Sequence, residues 1–328
     1  MPKVSVIIPI YGVEKYIERC SRSLFEQTLD DLEYIFVNDC TPDRSINILE
    51  EILEQYPHRK KQTIIYNMPT NSGQAAVRQY GIQFATGEYI IHCDSDDWVD
   101  IHAYEKMYSK AVEGDYDVVF CDFYTSNGII HKKNKRKFKS FSKEDIILTV
   151  VKRIYWQLWG AMIKRNILTE NTIYYPIANN GEDFALILQL LYYSNKFTHI
   201  KLPLYYYYQN ENSITRINEV KNYINRALAA KKNTELIIKF FKSKKVEHKY
   251  FDVIIMLKLY TRRTLSYITH TTEYRKIWYT IFAELEQDSI LFNINIPIKL
   301  KINYFSIKTK TYTLFKKIQH FLKMENPI

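Results

Sequence analysis

Two carboxylates one residue apart, Asp94 and Asp96, are the sharpest chemical feature of the chain. Oxygen ligands at that spacing suit a hard divalent cation such as Mn²⁺ or Mg²⁺. Such a cation can neutralise the charge of a diphosphate leaving group. Turns, caps and solvated loops produce the same pattern, so its place matters. The run before it, Tyr89-Ile90-Ile91-His92, is short and apolar, which puts both carboxylates, with Ser95 between them, where a buried strand ends. Asp39 closes another such run, Leu32 to Val37. Its carboxylate either accepts a hydrogen bond from a nucleobase edge or caps the next helix. Asn71-Ser72-Gly73-Gln74 makes a Gly-containing loop ahead of a helix that carries Arg78. A guanidinium fork suits phosphate oxygens, although a surface Arg is the plainer alternative. Gly181-Glu182-Asp183 opens an apolar helix of Phe184, Leu186, Ile187 and Leu190. An acidic pair there either complements the helix dipole or supplies a general base. Adjacent helical residues lie about 100° apart, which predicts that only one of the two reaches into a cleft.

These residues need a scaffold that brings strand ends together. Val4 to Ile8 is β-branched and reads as a buried parallel strand. Further strands are predicted over Leu32–Val37, Thr63–Tyr66, Tyr89–His92 and Val118–Cys121. Helices are predicted over Val13–Glu26, after Thr41-Pro42-Asp43, and over Gly73–Ala85. Thr41 suits an N-cap and Pro42 the first helical position. Alternation at this spacing predicts an α/β fold with a mostly parallel sheet flanked by helices. In such sheets ligands bind beyond the carboxyl ends of the strands, which is where Tyr11, Asp39, Asn71 and the Asp94–Asp97 cluster fall. From about Ile217 the apolar spacing becomes helical. We therefore expect a catalytic domain over residues 1–216 and a basic helical region over 217–328.

The pieces VSVIIPIYGVEKYIERCSRSL, FVNDCTPDRS, NSGQAAVRQYGIQFATGEYIIHCDSDDWV, NNGEDFALILQLL and PLYYYYQNENSIT occur in one order over residues 3–216. In this the chain resembles a family 2 glycosyltransferase of the GT-A fold, a Rossmann-like sheet with a C-terminal helical extension. The resemblance implies a nucleotide-sugar donor, most simply a UDP-sugar, a divalent metal, and transfer with inversion to an acceptor hydroxyl. It implies that Pro9, Tyr11 and Glu14 line the nucleotide pocket and that Asp39 contacts the base. Arg78 would lie near the diphosphate, with Asn71, Gly73 and Ser95 completing the donor-binding set. Asp94 would lie near the ribose and the metal, Asp96 would be the principal metal ligand, and Asp183 the general base with Glu182 beside it. Trp98 would pack rather than react. The family often carries Asp-Asp-Gly-Ser where this chain has Asn38-Asp39-Cys40-Thr41; the second Asp is kept.

Charge is divided unevenly. The net charge is +10, yet residues 217–328 hold 21 Lys and Arg against nine Asp and Glu. That +12 balance points to an anionic partner. We expect a membrane surface that bears a glycan or lipid-linked acceptor, with the stretch Ile296 to Met324 mixing Lys with apolar residues. Nucleic acid is not expected, since the tail lacks an RNA-binding motif. The eight glycines, at 12, 73, 81, 87, 114, 128, 160 and 181, form neither GxGxxG nor GxxxxGK[ST], which argues against a dinucleotide or P-loop enzyme. Cys20, Cys40, Cys93 and Cys121 show no CxxC spacing. With an opening stretch unlike a signal peptide and no apolar run of spanning length, they read as reduced thiols of a cytoplasmic protein, peripheral on the inner face of the plasma membrane.

Overall fold

The structure, a computed structural model, describes residues 1–209, 219–287 and 290–312. The expected boundary near residue 216 and the stretch 313–324 lie outside these residues. The described strands are β1 (Val4–Ile10), β2 (Leu32–Asn38), β3 (Thr63–Asn67), β4 (Tyr89–His92), β5 (Trp98–Val99), β6 (Val118–Ser126), β7 (His131–Asn134), β8 (Ala161–Lys164) and β9 (Phe197–Tyr208). They form one sheet in the order β3-β2-β1-β4-β8-β6-β9-β5, with β7 beside β6. The block β3-β2-β1-β4 is parallel throughout. The run predicted at Val118 is present as β6, but it does not neighbour β4. The antiparallel strand β8, reached after β7 and a helix, lies between them.

Alternation along the strands sorts side chains between two cores. Ile7, Ile35 and Val37 face one layer, while Val6, Ile8, Tyr34 and Phe36 face the other. The second layer is covered by α1 (Ile17–Phe25), α2 (Ser45–Leu53) and α4 (Ala103–Glu113). The first is covered by α3 (Gln74–Phe84), α5 (Lys143–Arg153) and α7 (Glu182–Tyr193), while the short α6 (Asn166–Thr169) follows β8. The same core continues into α8 (Val220–Ser243), α9 (Phe251–Thr264), α10 (Thr272–Thr280) and α11 (Ile298–Lys308). Phe240 and Phe241 anchor α8 against Tyr192 and Tyr250. Truncating either to Ala would cost about 3–5 kcal/mol, as for other buried aromatics.

Helix starts depart from the sequence expectation in two places. Residues 13–16 form a turn, with the Tyr16 and Ile17 N–H groups both donating to Val13 O, so α1 begins at Ile17. Helix α2 begins at Ser45 rather than at Pro42, and Thr41 does not cap it. The reason is a competing use of those side chains. Thr41 Oγ1 accepts from the Gly12 N–H at 2.9 Å, and Asp43 accepts from the Glu14 N–H at 3.0 Å. They hold the loop after β1 instead. Pro9 fits a central strand because pairing with β4 ends at Ile7 and His92. Its missing N–H therefore faces the side where no ladder continues.

Candidate active site

The site forms where β1, β2 and β4 end and where α3 and α7 begin. Gly73 precedes α3 with φ +81°, and a Cβ there would lie 1.8 Å from Asn179 Nδ2. Only glycine tolerates both the backbone conformation and the approach. The Ser72 and Gly73 N–H groups donate to the Asp39 carboxylate at 2.6 and 2.8 Å. Asp39 therefore caps neither neighbouring helix. It fastens the loop holding Asn71 to the end of β2. Tyr11 is exposed just after β1, and the Glu14 carboxylate accepts from the Arg44 N–H at 3.2 Å. Pro9 is half-buried at the end of β1.

Arg78 is not a surface residue. It is 2 % exposed and lies among three carboxylates. One terminal nitrogen donates to Asp94 Oδ1 at 2.7 Å. The other donates to Asp183 Oδ1 and lies 3.7 Å from Glu182 Oε1. The same terminal nitrogen of this buried guanidinium reaches both Glu182 and Asp183, while the other arm of the fork holds Asp94. Gly181, with φ +82°, turns the chain into α7 and offers no side chain to cap it. The Leu158 N–H adds a hydrogen bond to Asp183.

Charge sets the protonation of this cluster. Burial, followed by the neighbouring Asp183 charge, pushes Glu182 up to about 7. Burial also raises Asp183, against the opposing pull of Arg78. Burial, then Arg78, drives His92 well below its ordinary value, so this imidazole is neutral. Glu182 Oε2 is buried without a hydrogen-bond partner among the described residues. A carboxyl poised near neutrality in a buried, charged setting is what acid–base work requires.

The turn Asp94–Asp97 is braced from below. The Asp97 N–H donates to Asp94 O at 3.0 Å, and the Arg19 guanidinium donates to Asp96 O at 3.0 Å. Asp97 itself is buried, accepting from the Tyr205 hydroxyl and the Tyr208 N–H, both at 2.6 Å. Tyr205 in turn accepts from the Asp94 N–H at 3.1 Å. Ser95 is buried in the turn. Trp98 packs, as expected, between Arg19 and Tyr206. Gln74 also donates to Asp94 Oδ1, at 3.2 Å, so both side-chain bonds to Asp94 arrive at one oxygen. Oδ2 and the Asp96 carboxylate are the hard oxygens that suit Mn²⁺ or Mg²⁺. Among the described residues no three His, Cys, Asp or Glu side chains form a ready metal cage. That is compatible with an ion held by one or two carboxylates and substrate phosphates.

Some supporting residues gave no readable signal in the sequence. Asn179 Oδ1 accepts from the Ala75 N–H at 3.0 Å, tying the start of α3 to the loop before α7. Asn233, fully buried on α8, donates to Ala178 O at 2.7 Å and Asn180 O at 2.9 Å and accepts from the Ile177 N–H. The Asn180 side chain donates to Arg226 O at 2.8 Å. The loop presenting Glu182 and Asp183 is thus pinned from α8. Tyr205 and Asp97 sit inside motifs already quoted, so they were within reach of sequence reading; Asn233 was not.

Comparison with known proteins agrees with this arrangement. Residues 5–189 match the family described as Glycosyl transferase family 2. The chain is 31 % identical over 225 residues to the uncharacterized glycosyltransferase EpsJ of Bacillus subtilis, covering 66 % of this chain and 64 % of EpsJ. It is 30 % identical over 235 residues to the minor teichoic acid biosynthesis protein GgaB of the same organism, covering 68 % of this chain and 25 % of GgaB. The chain thus matches less than two thirds of these relatives' length. Staphylococcus aureus TarS 1–349 in complex with UDP-GlcNAc superposes with a TM-score of 0.60 at 18 % identity, covering 98 % of this chain and 92 % of that one. The mannosyltransferase PcManGT of Pyrobaculum calidifontis, in complex with GDP-Man and Mn²⁺, gives 0.55 at 15 %, covering 98 % and 85 %. These likenesses establish a GT-A fold. A family match over more than half of the chain goes further: the chain belongs to glycosyl transferase family 2.

Proposed function

We propose that this protein is a metal-dependent, inverting glycosyltransferase that moves a sugar from a UDP-sugar to an acceptor hydroxyl. The observation that carries the reading is the convergence of Arg78 with Asp94, Glu182 and Asp183 at the strand ends of a family 2 chain. Pro9, Tyr11, Glu14 and Asp39 line the nucleotide side, with Asn71, Gly73 and Ser95 shaping the loops around it. Asp94 and Asp96 hold a divalent cation, which when bound supplies positive charge against the diphosphate. Asp183 accepts the acceptor's hydroxyl proton as that oxygen attacks the anomeric carbon, and the nucleoside diphosphate leaves from the opposite face. No protein nucleophile is required. Arg78 has two duties. Without donor it neutralises Asp183, and an incoming diphosphate competes for the same donors. Drawing the guanidinium toward phosphate restores basicity to the carboxylate and stabilises the leaving charge.

The acceptor is a cell-surface glycan or lipid-linked glycan, in keeping with the likeness to a teichoic acid biosynthesis protein, GgaB, and the basic balance of residues 217–328. No helix among the described residues is long and apolar enough to cross a membrane. We place the enzyme on the cytoplasmic side, peripheral to the anionic inner face of the membrane. The decisive experiment incubates the purified chain with a panel of nucleotide-sugars and Mn²⁺ or Mg²⁺ and measures nucleoside diphosphate release. Release confined to one UDP-sugar is expected. Tight donor binding without turnover under every condition would make the chain a binding module instead.

A further inference from the structure

The segment after α10 presents apolar side chains to water in an ordered way. Phe292 is 80 % exposed and Ile294 88 % exposed, and Leu291 and Ile298 are exposed beside them. Ile290 and Ile296 point the other way, into the core. The loop is built to hold this division. Asn293 and Asn295 donate to the two oxygens of Asp252 at 2.5 and 2.6 Å. The Asn295 N–H donates to Asn293 Oδ1 at 2.9 Å, and Lys301 Nζ donates to Leu291 O at 2.8 Å. Phe251, next to Asp252, adds a further exposed ring. Polar bonds thus fix the base while large apolar groups project from the tip.

The tip segment itself carries no acidic residue; Asp252 beneath it accepts from Asn293 and Asn295, and Glu286 pairs with Lys308. Residues 290–312 contain Lys299, Lys301, Lys308 and Lys310 and no acidic residue. Lys299 and Lys310 are exposed without an acidic partner among the described residues. Asp252 is satisfied by its two Asn donors. Protruding Phe, Ile and Leu with Lys299 and Lys301 beside them match an anionic lipid surface, where hydrocarbon receives the tips and headgroup phosphates meet the ammonium groups. A surface for another protein would favour Arg and aromatic residues over Lys.

We propose that the loop Leu291–Ile298, with Phe251 and Lys299, is a membrane-docking wedge that inserts into the headgroup region of an anionic bilayer. This deepens the peripheral placement above and rests on it, while being separable from the catalytic reading. The test is flotation with vesicles of phosphatidylcholine, with and without phosphatidylglycerol, at low salt. The wild-type chain is expected to bind the anionic vesicles and to be released as salt rises. The variant Phe292→Ser/Ile294→Ser should bind at least about tenfold more weakly, since burial of both side chains is lost. Lys299→Glu should weaken binding several-fold and flatten its salt dependence. Both carry exposed substitutions, so their melting temperatures should match wild type. Nucleoside diphosphate release on a soluble acceptor, without vesicles, should be unchanged, which separates failure of this proposal from failure of the catalytic one. No wild-type binding at low salt overturns the wedge. So does equal binding by the Ser/Ser variant, which would put lipid contact elsewhere. A wild-type dimer that this variant dissociates would also overturn it, making the patch a contact between copies.

Discussion

At the strand ends, charges are buried and face one another. In residues 290–312 the unpaired ones face solvent, although Arg262 of α9 is buried against Glu286. Arg78 lies among Asp94, Glu182 and Asp183 with almost no exposure, whereas Lys299 and Lys310 extend into water beside exposed apolar side chains. Low exposure makes each interaction at the first region strong and each missing partner costly. The second region gains little from any single charge and acts through their sum. The difference explains why chemistry is assigned to one region and contact with a surface to the other. The division is not complete, because Asn233 of α8 grips the loop that presents Glu182 and Asp183. Helix α8 therefore holds the loop before α7 although it lies beyond the family-matched residues.

The contrast can be broken or sharpened by measurement. The largest effect is expected at the metal carboxylates. Asp96→Ala should lower nucleoside diphosphate release by about 10³-fold, and Asp94→Ala by less, with circular dichroism unchanged. Excess EDTA should silence the wild type, and full activity in EDTA would remove the cation from the mechanism. Next comes the base. Asp183→Asn should cost about 10²-fold in kcat with donor affinity little altered, and Glu182→Gln should cost less. The reverse ranking would move the base to Glu182, and normal turnover in both would exclude the pair.

The sharpest test of the boundary between the regions is Asn233→Ala. It leaves the partly buried Ala178 O and Asn180 O without their donor, at about 1–3 kcal/mol in stability. If α8 positions the acidic pair, kcat should fall about tenfold with donor KM little changed, while saturating donor fails to restore the rate. A lower melting temperature with normal kcat would return α8 to a purely structural role. The last effect is read in stability against pH rather than in rate. Burial lifts Glu182 from 4.5 to about 7, so between those values the folded chain keeps a proton that the unfolded chain has lost. The associated stability is complete below pH 4.5 and declines as pH rises to 7. Relative to Glu182→Gln, the wild type should therefore lose roughly 3 kcal/mol across that window. Thermal melts of both proteins from pH 4.5 to 8 would show the gap; a pH-independent difference would mean that Glu182 does not carry the buried titration.

Much of the scaffold was legible because short-range physics writes it locally. β-branched runs at Val4, Leu32 and Tyr89 form the parallel strands where expected, and α3 begins within one residue of its predicted start. Helix α2 was misread because Thr41 and Asp43 have side chains suited both to capping and to a neighbouring loop. Local spacing does not choose between those partners. Strand β8 was missed because four residues with no clear alternation carry little pattern, and pairing on both sides gives them their strand conformation.

The sequence alone determined that carboxylates would stand at the end of one strand and at the start of one helix, because those positions follow from a few neighbouring residues. Only the tertiary structure decided what they face. Arg78 meets Asp94 across 16 residues and Asp183 across 105, and Asn233 meets Asn180 across 53. The apolar tip at Phe292 likewise looks like ordinary core sequence until Ile290 and Ile296 are seen to occupy the interior. Periodicity records which face of an element is apolar. It carries no record of which distant element will cover that face, or whether any will, since packing between segments settles that.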